Sequence, residues 1–597
     1  MVDSPDSGDV PRAVARVGLP ALAGAIAWLG LAGPAEAKKA KKKRKKKRKA
    51  KKRKVKSPKK PAATATAAAT TATATSTPSA TATPSATSTT STSTPTSTAS
   101  AEATSTTSTT TATSTATSTA VDVAHLCARF TGGWTAAQAD AIAAAGGPLA
   151  WFDAQLTPGS VPESALAAAA PSWYPLLTDT PAQRRAQEAA STADAWQYAV
   201  QLGNLTLMRR IASNRQVFEA MVEFLSDHLH IPVTADGWHW RQDYDAIIRA
   251  GALGSFSDLL VEASLSGAML TYLGTATSTA TTANENHARE LLELHTVGVG
   301  YYTEADVRAT AKILSGWTCN AWSSPAVWDP TYVDSRHDKT AVSVQGFTSD
   351  GSGRAGQTAK DFLTALARHP NTARRLMTKL ATRFVSDSPS ATLIADLVAV
   401  YQAADTDLVP VLEALVRHPE FAASARAKVR TPMSDFVATV RALGITVQAP
   451  GSSDDAAHEL VYGYSDGLPY SWPRPDGRPD NADAYTSGGR MINSFRTHAC
   501  LLGGWWPTGN IAYRDLGDFL PDLTSGKVTV ADYAHYASQK LLGHDADDVT
   551  VGAFAEAIGM TTATVLKTGM WQVPALGSWL GLRGLSVLLD HPLHLTH

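Results

Sequence analysis

Asn284-Glu285-Asn286-His287-Ala288-Arg289-Glu290-Leu291-Leu292-Glu293-Leu294-His295-Thr296-Val297-Gly298 is the stretch on which the reading of this chain turns. Ala288, Leu291, Leu292 and His295 fall at i, i+3, i+4 and i+7, the spacing of one buried helix face. Arg289 stands four residues after Glu285 and four before Glu293, which predicts a structural ladder of Glu285, Arg289 and Glu293. Glu290 lies about 100° round the helix from Arg289 and is left for other work. Gly298 is placed to end the helix at its C′ position. A second helix follows at once. Thr303 caps it, Asp306 takes the capping-box position, and Val307, Ala311 and Leu314 face inward until Gly316-Trp317 stops it.

Working outward, the helical period recurs. Thr135 and Gln138 predict a capping box with Trp134 as the staple, opening a helix that ends near Gly146. Leu207, Ile211, Phe218, Met221, Phe224 and Leu225 mark one or two long helices. Ala373, Leu376, Met377, Leu380 and Phe384 form a clear face, as do Leu408, Val411, Leu412 and Leu415. His369-Pro370 and His418-Pro419 punctuate helix junctions. Strand signals reduce to a short pair around Thr340 to Thr348. The expected fold class is mostly α: a large multi-helix domain with irregular loops and few strands, preceded by a disordered N-terminal region. Gly451 to Gly489 stands apart, with aromatic and proline residues set among Gly, Ser and Asp. A long irregular segment of that kind predicts a lip over a cleft.

The run NENHARELLELHTVGVGYYTEADVRATAKILSGWT (284–318) resembles the signature of the bacterial domain of unknown function 1800 family. The likeness extends to IRAGALGSFSDLLVEASLSGAMLTYL (248–273), RHD (336–338), HPNTARRLMTKLATRFV (369–385) and PDGRP (475–479). It covers roughly Ala124 to Gly504, so 121–505 reads as the family domain and 506–597 as a C-terminal helical extension. The resemblance implies a fold class and no reaction.

The rest of the 597-residue chain divides by composition. Residues 1–37 read as a secretory signal: Arg12 and Arg16, an apolar run from Val17 to Gly33, and Ala35-Glu36-Ala37 as a cleavage site. Eighteen Lys or Arg then crowd Lys38 to Lys60 without an acid. Positive charge just after an apolar segment resists translocation, so an uncleaved membrane anchor is the alternative. Pro61 to Ala120 is almost purely Ala, Thr, Ser and Pro with no aromatic, a disordered stalk open to O-glycosylation. The chain totals +1 and the basic run alone contributes +18, leaving −17 for everything else. A basic arm is thus joined to an acidic body. The arm suits an anionic surface or polymer, and the acidic body argues against nucleic acid as a partner of the folded domain. The expected location is secreted or cell-surface.

Candidate chemistry is sparse. Cys127, Cys319 and Cys500 have no metal-ribbon or redox spacing; their odd number permits one disulfide at most within the chain, and buried free thiols are the expected state. Asp227, His228 and His230 could hold a divalent metal if the backbone is extended after the helix. Glu223, Asp227 and His230 form a second possible ligand set if the helix continues. His337 and Asp338 cannot pair with each other in extended backbone, but either could meet Glu290 or Glu293 as a general base or part of a divalent-metal site. The competing reading makes Glu285, Arg289, Glu290 and Glu293 an internal ion-pair network. No nucleophile elbow, phosphate loop, dinucleotide fingerprint or zinc-protease motif occurs. Two functions fit: an exported scaffold or binding protein tethered by its arm and stalk, or a hydrolase-like enzyme using His and carboxylates beside the 284–298 helix.

Overall fold

Side-chain caps start the helices where the sequence places them. Thr303 and Asp306 bond reciprocally to each other's backbone N–H at 3.2 and 2.8 Å, opening helix Glu304–Leu314. His369 and His418 cap Pro370–Phe384 and Pro419–Ala423 through their rings, each with proline as the first helical residue. Thr135 caps Ala136–Ala144 by accepting from Gln138, a one-way cap in place of the expected box. The computed structural model describes residues 121–451 and 454–597, and the expected signal segment, basic run and stalk lie outside the described residues. Within the described residues the protein is mostly helical, and no helix is long and apolar enough to cross a membrane.

Two hydrophobic cores organise these helices. The first gathers Phe130, Phe224, Phe256, Leu292, Leu314, Phe384 and Leu412. The second gathers Leu202 and Met208 of helix Ala195–Ala212, Val440 of Pro432–Ala442, and Tyr533, Phe554 and Leu585 beyond residue 505. Helices beyond residue 505 thus share a core with helices Ala195–Ala212 and Pro432–Ala442. Backbone bonds from Lys428 to His597 (3.1 Å) and from Arg430 to Leu595 (3.0 Å) tie the end of the chain in.

Strands are few and short. Val342–Val344 pairs with Phe347–Ser349, the expected hairpin. Trp317–Asn320 pairs with Val327–Tyr332 across a bulge, and Thr446–Val447 pairs with Ile511–Ala512, neither of which the residue pattern announced. Cys127 and Cys319 are buried free thiols, and Cys500 is free and half-buried.

The central stretch departs from a uniform helix. Glu285–Glu290 is α-helical and Leu291–His295 is a π turn, closed by Gly298 at φ +93°, whose N–H reaches the Leu292 carbonyl at 2.8 Å. The wider turn breaks the four-residue register. Arg289 keeps Glu285 at 3.7 Å but grips Glu304 with two bonds of 2.5 and 2.8 Å, while Glu293 accepts from the Tyr302 hydroxyl. The ladder thus ends at Glu304 of the next helix and not at Glu293. Its Arg289 and Glu304 side chains are 34% and 61% exposed, so water screens the pair. Arg289→Ala is expected to leave the thermal midpoint within about 1 °C of the parent, and a drop of roughly 3–5 °C would return the ladder to a buried role.

Candidate functional site

Helix Gln216–His228 packs Val217, Met221, Phe224 and Leu225 into the first core, which turns Glu223 and Asp227 toward the second. Helix Pro370–Phe384 carries Arg375, Lys379 and Arg383, spaced four apart on one stripe. The loop around Trp472 to Asn481 closes over both. A cleft of about 360 Å³ results, lined by Asp227, His228, Arg375, Lys379, Arg383 and the loop residues Arg474 to Asn481. Its apolar wall is Phe224 of the first core, and its volume is within the range of small-molecule sites.

The loop is fastened at several points. The Trp472 carbonyl bonds His230 Nε2 at 2.8 Å, and the Trp472 indole donates to Asp476 at 3.1 Å. Arg478 pairs with Asp466 at 2.6 Å, and Asp480 with Arg383 at 3.3 Å. Gly477 has φ +76°, and a Cβ there would fall 2.1 Å from the Asp227 carbonyl oxygen. Only glycine lets the loop settle against that helix end.

Charge in the cleft is unevenly neutralised. Glu223 is shared by Arg210 and Arg383; burial alone would raise it, but those guanidinium groups hold it below the usual carboxylate range. Burial, reinforced by nearby Glu223, pushes Asp227 up to about 6. Lys379 has no carboxylate within 4.0 Å among the described residues, and burial beside Arg375 brings it down to about 8. Two groups that titrate near neutrality therefore face one cleft.

Several residues singled out from the sequence are placed differently. His228 and His230 diverge: His228 Nε2 meets the His295 carbonyl at 3.1 Å, whereas His230 turns to Trp472. Asp227 stays 3.9 Å from His230 Nδ1, and Glu223 is committed to its arginines. Neither proposed ligand set converges on a point. His337 is buried with Nδ1 2.8 Å from the Ser315 carbonyl and its ring against Tyr332. Asp338 faces Lys312 at 3.7 Å. Among the described residues neither touches Glu290 or Glu293, so the imagined catalytic pairing is absent. Glu290 is half-buried and raised by burial, then by Glu293, with Asp476 adding to the effect.

Among the described residues, one group of His and carboxylates is close enough for a metal: Asp435, His498 and His594. Its donors are already spent. His498 gives Nδ1 to Asp590 at 2.7 Å and Nε2 to Asp435 at 3.1 Å. Arg490 stands 3.3 Å from Asp435, and His594 Nε2 bonds Thr439 at 2.9 Å. Burial would lower His498, but Asp435 and Asp590 outweigh it and raise it to about 9. A proton fills this place, and a dication beside Arg490 would meet repulsion.

The acid–cation cleft was missed because Asp227, Lys379 and Arg478 are far apart in the chain. The readable trace was the cationic stripe at 375, 379 and 383, beside the apolar face of Ala373, Leu376, Met377, Leu380 and Phe384 on the same helix. No curated protein and no solved structure matches the chain. The family described as protein of unknown function (DUF1800) matches residues 125–590, well past Gly504 and through the segment read as an extension; the chain belongs to that family.

Proposed function

We propose that this protein is an exported or surface-associated binding protein, held to an anionic surface by its basic arm and stalk, whose cleft receives an anionic ligand. The observation that carries the cleft reading is Lys379, a buried ammonium with Arg375 one turn away and, among the described residues, no carboxylate within 4.0 Å. An incoming oxyanion would supply that partner and make charge-assisted bonds to both. The composition of residues 1–120 supports the tether: an apolar leader, eighteen basic residues and a Thr/Ser/Pro stalk.

The test uses inorganic phosphate as the probe. Phosphate at roughly ten times its Kd should raise the melting temperature of the full chain by about 1–2 °C, and Lys379→Gln should remove most of that gain. Because Lys379 loses its proton near pH 8, the gain should also fade as pH rises through about 8. Equal protection of Lys379→Gln and the parent would defeat the reading. A second reading, acid–base chemistry on the bound ligand, draws on Asp227 at about 6 beside Lys379 at about 8. It predicts that Asp227→Asn binds phosphate yet loses any turnover of the natural ligand.

A further inference from the structure

A second groove, of about 520 Å³, shares no lining residue with the cationic cleft. Its walls are Trp240, Trp317 and Trp328. The hairpin explains how two of them converge. Trp317 opens strand Trp317–Asn320 and Trp328 lies near the start of its partner Val327–Tyr332, where the bulge breaks the register, and both line the groove. Trp240 braces the arrangement: its indole N–H donates to the Trp328 carbonyl at 2.8 Å, and the two rings lie 5.9 Å apart. Gly267 presses on Trp240 so closely that a Cβ there would sit 2.6 Å from the indole. The aromatic wall is fixed in advance.

The rim is acidic. Glu262 and Asp329 are exposed and have no cationic partner within 4.0 Å among the described residues, and Asp243 pairs with Arg184 at 3.1 Å. Lys360 sits 5.8 Å from the centre of the Trp317 ring. This combination narrows the ligand. An anion would be repelled by Glu262 and Asp329. A quaternary ammonium would find the Trp317 face already facing a cation. A purely apolar ligand would leave the carboxylates unused. A sugar ring offers an apolar C–H face to stack on indole and an edge of hydroxyls to donate to carboxylates. We infer that this groove binds a neutral saccharide chain, stacked on Trp317 and Trp328 with its hydroxyls held by Glu262 and Asp329.

The test titrates the full chain with neutral hexasaccharides of β-1,4-linked glucose, mannose, xylose and N-acetylglucosamine, followed by tryptophan fluorescence and calorimetry. Neutral probes keep the basic arm out of the signal. At least one should bind saturably. Trp328→Ala, which retains the backbone carbonyl that Trp240 uses, should weaken it roughly tenfold or more, the loss of one good aromatic contact with its buried area. Glu262→Gln should weaken it several-fold. Because Glu262 is exposed, that variant carries the test should Trp328→Ala fail to fold. Trp571→Ala, at an exposed indole outside the groove, should bind as the parent does. The inference is overturned if no hexasaccharide binds up to about 10 mM, a free energy too small for a specific site. It is equally overturned if Glu262→Gln and a folded Trp328→Ala bind unchanged, or if tetramethylammonium saturates the groove and displaces the sugar.

Discussion

Asp435→Ala should cost about 3–5 kcal/mol of stability at neutral pH, because it strips a buried anion from two buried cations at once. His498 and Arg490 both close on Asp435, at 3.1 and 3.3 Å, and all three side chains are under a tenth exposed. The same network sets an alkaline limit. His498 holds its proton more tightly in the folded chain, at about 9 against 6.5, so its contribution is complete below pH 6.5 and disappears as pH climbs through about 9. The shift corresponds to about 3 kcal/mol. Asp435 itself is held far below the usual carboxylate range, burial being outweighed by His498 and Arg490, so its share is lost only in strong acid. Urea unfolding at pH 7 and pH 10 measures both effects, and the alkaline loss should shrink in Asp435→Ala. A variant within about 1 kcal/mol of the parent at pH 7 would show that the network contributes little.

Arg383→Met is expected to be comparably damaging, by about 3–5 kcal/mol, and for a positional reason. Arg383 is 16% exposed and stands 3.3 Å from both Glu223 and Asp480. Without it Asp480 loses its pair, Glu223 depends on Arg210 alone, and the loop that roofs the cleft loses its anchor. Methionine fills most of the volume, so the loss would report charge and not a cavity. Since Arg383 also opposes the rise of Asp227, removing it should push that carboxyl higher still. The phosphate response should weaken together with stability. If Arg383→Met unfolds at the same urea concentration as the parent, the buried pairs are balanced by their desolvation.

What could be read from the sequence was local. Thr303 with Asp306, and the two His-Pro caps, lie within three residues of what they bond, so the residue pattern displays them directly. The π turn at Leu291–His295 was hidden because its residues favour an ordinary helix just as well. That single turn moved Glu293 off the Arg289 stripe and gave Arg289 a partner on the next helix. His337 had the right chemistry for a base, but its orientation is set by the Ser315 carbonyl, which no spacing rule reveals. Asp435, His498 and His594 are joined only by tertiary packing, and nothing near any of them in sequence marks the others. The irregular stretch near Trp472 was recognisable as a loop over a cleft, yet the side chains it covers could be found only by folding the chain.

The second core also dictates an order of events during synthesis. Leu202, Leu205 and Met208 leave the ribosome early, but Phe436, Val440 and Tyr533, with which they are buried, follow only after the whole first core has been made. The first core can close on its own contiguous stretch of chain; the second must wait for both its parts. Contacts of such wide separation form slowly, and apolar surface left uncovered in the interval invites association between nascent chains. Helix Ala195–Ala212 is therefore the segment most in need of a chaperone, and slowing translation between residues 213 and 432 would lengthen its exposure without changing a single native contact.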